Sequence, residues 1–106
     1  MLNDKGCERA VLAGICQYGS DCFFEVNDIL ESSVFTDISN QLIFNCLEHL
    51  FASDIKSIDI PGIFSAANSL RYEKQICESK ANQEFIRSLF NFPVDKPNLR
   101  SYAIKI

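Results

Sequence analysis

The residues that could do metal or redox chemistry in this chain are its cysteines and its single histidine. The five cysteines are Cys7, Cys16, Cys22, Cys46 and Cys77. A structural zinc site needs four ligands that converge in closely spaced pairs, and the sequence contains no Cys-x-x-Cys pair. An odd number at irregular spacing also argues against a disulfide framework. We therefore interpret Cys16, Cys22 and Cys46 as small buried hydrophobes, which suits a reducing compartment.

Acid-base catalysis would have to rely on His49, because it is the only histidine. A catalytic histidine needs a nucleophile and an orienting partner, and no Gly-x-Ser-x-Gly or comparable element is present. Carboxylates such as Glu25 and Asp28 fall on the polar face of a predicted helix, where solvated acids are ordinary. The sequence also lacks a Gly-x-x-x-x-Gly-Lys-[Ser/Thr] phosphate loop, so we predict no ATP hydrolysis by this chain. A small cytosolic enzyme using His49 or a cysteine is the least favoured alternative.

The charge pattern bears on the class of partner. Ten basic and fourteen acidic residues give a formal charge of −4, and the basic residues are scattered. Phosphate neutralisation needs a concentrated basic surface, so we predict no direct nucleic-acid binding. No apolar run approaches the roughly 18 residues of a membrane span. The first six residues lack the basic and apolar regions of a secretory signal. These patterns predict a soluble, cytoplasmic protein that does not contact a membrane.

Helices must position any functional side chain here, and the clearest predicted helix covers residues 37–51. Its large side chains recur at spacings of three and four, which places them on one side of a helix. They are Ile38, Leu42, Ile43, Cys46, Leu47 and Leu50, and Phe44 and Phe51 widen the stripe. A helix this apolar should lie in the middle of a bundle. Asp37 can cap its first turn.

The same periodicity predicts five further helices. They cover residues 7–18, 21–30, 59–70, 82–90 and 97–106, and residues 71–81 are interpreted as an exposed connector with at most a helical turn. We expect Asp59, Asn82 and either Ser20 or Asp21 to cap the helices that they begin. Gly14 lies inside the first helix, where close packing of a neighbour is the preferred explanation.

Together these helices predict an all-α protein, a compact orthogonal bundle of about six short helices around the central apolar helix. We expect residues 1–106 to form a single domain. The predicted core residues are Val11, Leu12, Ile15, Phe23, Val26, Leu30, Phe35, Leu42, Ile43, Cys46, Leu47, Leu50, Ile63, Ala67, Phe85, Leu89 and Leu99. The last helix ends on Ile106 without a cap, so we interpret it as truncated.

Several short motifs occur in the order typical of one helicase family. Residues 8–15 (ERAVLAGI) resemble its opening helix, and residues 57–60 (SIDI) resemble its Pro-Ile-Asp-Leu entry to a later helix. Phe35, followed by Ile43 and Phe44, is similar to its Phe-Tyr and His-x-x-Ile-Phe elements, and residues 85–89 (FIRSL) to its Tyr-Leu-x-x-Leu. Residues 97–103 (PNLRSYA) resemble Ala-Asn-Ile-x-x-Tyr-Ala, where the family's helical hairpin begins. From Glu8 to Ala103 the chain thus resembles the N-terminal head domain of DnaB-type replicative DNA helicases.

Some positions depart from the pattern of that family. Its Gly-Gly before the fifth core helix is Ala81 and Asn82 here, and the first glycine of its Leu-Gly-Gly is Ala13. The histidines at the start of its central helix are Asn40 and Leu42 here. These departures indicate a divergent relative of phage or mobile-element type.

The resemblance implies a non-catalytic assembly and protein-interaction domain at the front of a ring-shaped hexameric helicase. It implies self-association, as a dimer and as a hexamer in the full-length protein, and docking of a primase, a helicase loader or a replication initiator. ATP and Mg²⁺ are expected only in a separate motor domain, with no cofactor in this one. The candidate contacts are Phe90, Phe92, Tyr102 and Ile106, for which core packing is the alternative interpretation.

A second hypothesis is a stand-alone, initiator or adaptor protein that uses a helicase-head-like domain to engage or mimic a replicative helicase. The reading frame beyond Ile106 distinguishes the two hypotheses. A hairpin, a linker helix and a phosphate loop encoded there favour the helicase, whereas an unrelated domain or a stop favours the adaptor.

Overall fold

The computed structural model describes residues 5–106, which form six α-helices and no strand. The α-helices are α1 (Lys5–Tyr18), α2 (Ser20–Val26), α3 (Ile38–Ala52), α4 (Ile60–Ser69), α5 (Lys80–Leu89) and α6 (Leu99–Ile104). Short 3-10 turns lie at Ser32–Val34 and Lys96–Asn98, and a π-helical turn lies at Glu73–Cys77. The predicted all-α bundle of about six short helices is confirmed for these residues. The argument against a secretory signal includes residues 1–4, which lie outside the described residues.

Two helices begin at the capping residues that the sequence predicts. At the start of α3, Ser39 N donates a hydrogen bond to Asp37 Oδ1 (2.9 Å). At the start of α4, Gly62 N donates to Asp59 Oδ1 (2.8 Å). Each carboxylate thereby satisfies an N–H group that has no partner within its own helix.

The predicted caps of two other helices are wrong. Ser79, rather than Asn82, caps α5. The helix begins at Lys80, and Asn82 N donates a hydrogen bond to Ser79 Oγ (3.3 Å). Neither Ser20 nor Asp21 caps α2. Gly19 occupies that position with a φ of 73°, in the left-handed region that glycine adopts without steric cost, and contributes no side-chain hydrogen bond.

Two predicted helices are shorter in the structure, and the predicted connector contains the helical turn that the sequence allowed. α2 ends at Val26 rather than at residue 30, and the turn that follows brings Leu30 into the core. α6 begins only after the 3-10 turn that contains Pro97. The π-helical turn lies within residues 71–81 and contains Ile76, which is completely buried.

One continuous hydrophobic core receives side chains from all six α-helices. The predicted core residues are buried, except Leu42 and Phe85, which are half-buried. Ile38, which the periodicity placed on the apolar stripe of α3, is instead 69% exposed. The buried stripe of α3 begins at Asn40, and Ile38 lies two positions earlier, on another side of the helix.

α1 shares the central position with α3. It packs against α2, α3, α5 and α6, whereas α4 packs on α3. Gly14 explains the close approach of α6, because a Cβ atom at this position would lie only 2.3 Å from Leu99 Cδ1. The glycine therefore serves close packing, and the first and last helices of the described chain lie side by side.

Candidate interaction site

The four residues predicted as interaction contacts are all half-buried, and each packs against the hydrophobic core. They are Phe90, Phe92, Tyr102 and Ile106. The Phe92 ring also contacts the Arg9 guanidinium, whose carbon lies 4.7 Å from the ring centroid. Half-buried side chains can pack inside and still present an edge to a partner, so their role in self-association stays a prediction.

Polar side chains of α1 hold the segment that follows α5. Gln17 Nε2 donates hydrogen bonds to Leu89 O (2.8 Å) and to Phe92 O (2.7 Å). The Tyr18 hydroxyl donates to Val94 O (2.9 Å). Leu89 is the last residue of α5, and the C=O groups of a last helical turn have no partner within the helix. The loop after α5 is therefore fixed on α1.

Arg9 lies against two aromatic rings on the same side of α1. Its guanidinium carbon is 5.6 Å from the centroid of Phe85 and 4.7 Å from that of Phe92. Its Nη2 donates to Ser88 Oγ (3.0 Å), and its Nε is buried without a hydrogen-bond partner. Within residues 5–106, no carboxylate lies within ion-pair distance of Arg9. Arg9 is thus held by ring contacts and one hydrogen bond, and it has no ion pair with an acid of residues 5–106.

Glu8 is completely buried, which is rare for a carboxylate. Its Oε1 accepts from Asn40 Nδ2 (3.0 Å), and its Oε2 accepts from Thr36 N (3.1 Å) and Thr36 Oγ1 (2.8 Å). Burial acts to raise the pKa of Glu8, but the hydrogen bonds from Asn40 and Thr36 outweigh it and hold the pKa below its ordinary value. Glu8 ties α1 to the start of α3. Sequence reasoning missed this role, although Glu8 precedes Val11 and Leu12 by three and four positions on the buried stripe.

A cleft of about 450 Å³ opens beside Glu8, where the first turns of α1, α3 and α5 meet. We call it the N-terminal cleft. Its lining includes two cations, one carboxylate, two side-chain amides and an aromatic ring, which belong to Lys5, Arg9, Asp37, Asn40, Asn82 and Phe85. Sequence reasoning did not identify this cleft, because its residues come from three separate segments of the chain.

A smaller cleft of about 280 Å³ lies between α2 and α6. Arg100 donates to both carboxylate oxygens of Asp28 (3.0 and 3.1 Å) and to Glu25 O (2.6 Å). The hydrogen bond from Arg100 holds the pKa of Asp28 below its ordinary value. Lys96 Nζ lies 3.7 Å from Asp21 Oδ2. Both cations beside this cleft therefore already have acidic partners.

The residues considered for catalysis or metal binding are mainly buried thiols and one half-buried histidine. Burial raises the pKa of Cys16 and of Cys46 to about 12 and that of Cys22 to about 11. Thiols with such pKa values are poor nucleophiles at neutral pH. His49 is half-buried in the last turn of α3. In the described part of the chain, no group of three or more His, Cys, Asp or Glu side chains is placed to hold a metal ion. No helix of that part is long and apolar enough to cross a membrane.

Comparison with known proteins gives one match. The family model described as the DnaB-like helicase N terminal domain matches residues 1–106, which is the whole chain. No curated protein and no solved structure matches the chain significantly. The matched range therefore includes all six helices, both clefts and the four predicted contact residues.

Proposed function

Because this chain belongs to the DnaB-like helicase N-terminal domain family, we propose that it is a non-catalytic assembly and protein-interaction domain of a replicative DNA helicase. The family match over the whole chain carries this proposal. In it, the domain supports oligomerisation and docks a primase, a helicase loader or a replication initiator. The ATP- and Mg²⁺-dependent motor lies in a separate domain of the full-length protein.

Buried and half-buried polar side chains connect the helices of this chain, which supports a structural and docking role. The side chains of Glu8 and Gln17 hold helices together through hydrogen bonds to groups far away in sequence. Exposed apolar side chains offer surface for a partner, and the most exposed on α6 is Ile104, at 67%. Exposed apolar groups on a soluble domain are common constituents of protein interfaces.

Self-association is tested by sedimentation velocity from micromolar to millimolar concentration. We expect a concentration-dependent dimer. Phe90→Gln and Ile106→Gln should shift the profile towards monomer while circular dichroism shows both variants to be folded, although their melting temperatures should fall because both side chains also pack on the core. Ile38→Gln is the matched control, because Ile38 is exposed and apolar but lies on α3. A strictly monomeric profile at every concentration would contradict the oligomerisation part of the proposal.

Docking is tested by titrating the purified primase, loader and initiator of the same organism onto the immobilised chain. We expect saturable binding of at least one of the three, measured by biolayer interferometry. The control surface carries the heat-denatured chain. Absence of binding by all three proteins, from a chain whose circular dichroism shows it to be folded, would contradict the docking part.

A further inference from the structure

The N-terminal cleft contains two cations that have no acidic partner within residues 5–106. Lys5 is exposed at its rim, and Arg9 lies in its wall. Within residues 5–106, neither has a carboxylate at ion-pair distance. The cleft between α2 and α6 differs, because Arg100 and Lys96 already contact acids there.

The negative groups near the N-terminal cleft are already engaged. Asp37 lines the cleft, but its Oδ1 accepts the hydrogen bond from Ser39 N that caps α3. Glu8 has no solvent contact, and Asn40 and Thr36 donate to both of its oxygens. The lining therefore carries two cations, Lys5 and Arg9, and one carboxylate, Asp37, which stays charged while it caps α3.

The walls of the cleft are held in position before any ligand arrives. Arg9 is fixed by Ser88 Oγ and by the rings of Phe85 and Phe92. Asn82 Nδ2 donates to Gln75 O (2.6 Å), which fixes its side chain as well. A preorganised donor set binds more tightly than a mobile one, because less conformational freedom is lost on binding. The half-buried Phe85 adds an apolar surface within the same cleft.

From this arrangement we infer that the N-terminal cleft receives a carboxylate side chain from an acidic segment of a protein partner. The carboxylate pairs with Lys5 and Arg9, and a neighbouring apolar side chain of the segment packs on Phe85. Charge-assisted hydrogen bonds between a guanidinium and a carboxylate are strong and directional. The inference rests on the proposed docking function, for which it names the partner's chemistry.

An acidic peptide fits this cleft better than a nucleic acid does. A volume of about 450 Å³ lies within the usual range of pockets for small ligands and side chains. A nucleic-acid strand would need a continuous basic track, which a chain of formal charge −4 with scattered basic residues does not provide.

The test is a nuclear magnetic resonance titration of the ¹⁵N-labelled chain with the peptide acetyl-Phe-Glu-Glu-amide. We expect saturable shifts of the backbone amides of Gly6, Ser39, Asn40 and Asn82. The matched peptide acetyl-Phe-Gln-Gln-amide should bind at least about tenfold more weakly, because it lacks the charges that the two cations recognise.

Substitutions then assign the site. Lys5→Glu should weaken peptide binding at least about tenfold, the effect of replacing one attractive charge by a repulsive one. Lys5 is exposed, so this variant should fold normally, and Lys105→Glu is the control because Lys105 is also exposed and lies outside the cleft. Arg9→Lys keeps the charge and should bind between the wild type and Lys5→Glu.

Three results would overturn the inference: equal binding of the two peptides, shifts confined to other surfaces, or equal effects of Lys5→Glu and Lys105→Glu. Tighter binding of a thymidine oligonucleotide than of the acidic peptide would do so too, in favour of a nucleic-acid site. Failure here is distinguishable from failure of the proposed function. Sedimentation and the three purified replication proteins test that function without reference to the cleft.

Discussion

The carboxylate of Glu8 sits between α1 and the start of α3 without contact to solvent. A buried charge is tolerated only where hydrogen bonds replace the lost water, and the three donors from Asn40 and Thr36 do so here. The arrangement is local to a few side chains, yet it joins residues 28 and 32 positions apart. The side chain thus determines how α3 enters the bundle.

We predict that Glu8→Gln lowers the free energy of unfolding by about 1.5 to 3 kcal/mol at neutral pH, because the amide has the wrong charge and places a donor among donors. Chemical denaturation measures the change. Glu84→Gln is the control, because Glu84 is an exposed acid. If Glu8→Gln lost no more stability than Glu84→Gln, the hydrogen bonds of Glu8 to Thr36 and Asn40 would not hold α1 to α3.

The difference in unfolding free energy between the wild type and Glu8→Gln should depend on pH. The pKa of Glu8 is lower in the folded chain than its ordinary value of 4.5. Its contribution to stability is therefore complete above pH 4.5 and is lost as the pH falls through the folded-state pKa. The stability difference between wild type and Glu8→Gln should be constant at neutral pH and shrink in acid. A difference that grows in acid would contradict the direction of the pKa shift.

Thiol labelling gives a further prediction at the residue scale. Cys77 is half-buried, whereas the other four cysteines are buried. With a disulfide reagent at neutral pH, Cys77 should react first, and Cys16, Cys22 and Cys46 should react only when the chain unfolds. Mass spectrometry of partly labelled protein identifies the sites. Rapid labelling of Cys46 in the folded chain would contradict its burial.

Among the elements, α1 and α6 can pack closely because residue 14 of α1 is a glycine. Gly14 leaves room for Leu99, which is almost completely buried. Gly14→Ala should lower the free energy of unfolding by about 1 to 2 kcal/mol, because overpacking outweighs the gain in helix propensity. Thermal and urea unfolding measure this effect.

Gly6→Ala is the matched control, because Gly6 lies in the same helix but is exposed. It should leave stability unchanged or raise it by up to about 1 kcal/mol. The double variant Gly14→Ala with Leu99→Ala should lose less stability than the sum of the two single variants, since the smaller side chain relieves the overlap. Strict additivity would show that the two positions do not contact each other.

The sequence predicts those features of the elements that depend on neighbouring residues. Asp37 and Asp59 were identified as caps because capping requires only a side chain and the N–H groups two or three positions ahead. Ser79 was missed because the prediction started this helix at Asn82, which lies inside α5. The π-helical form of the turn at Glu73–Cys77 could not be predicted, because periodicity does not distinguish a single π-helical turn from other turns.

The N-terminal cleft could not be predicted from local pattern at all. Lys5, Asn40 and Asn82 become neighbours only through the packing of α1, α3 and α5. Periodicity identifies the buried face of each helix but not which helix ends meet. The half-burial of Phe85 has the same origin, because the ring lines that cleft beside Arg9.

For the whole molecule, one shared core means that a cavity in α3 weakens the entire fold. Leu47 is completely buried, so Leu47→Ala should cost about 2 to 5 kcal/mol of unfolding free energy. Ile38→Ala, in the same helix but at an exposed position, should change it by less than about 0.5 kcal/mol. A loss below about 1 kcal/mol for Leu47→Ala would contradict the position of the core.

The attachment of α1 to the last third of the chain affects how the protein is made. Within this domain α1 is synthesised before its partners, which are the carbonyls of residues 89–94 and the side chain of Leu99. Contacts between such distant segments slow folding, because the intervening loop must close first. The side of α1 that packs on α5 and α6 therefore stays uncovered until those helices have been made, and a nascent chain stalled before residue 89 should be a substrate for ribosome-associated chaperones.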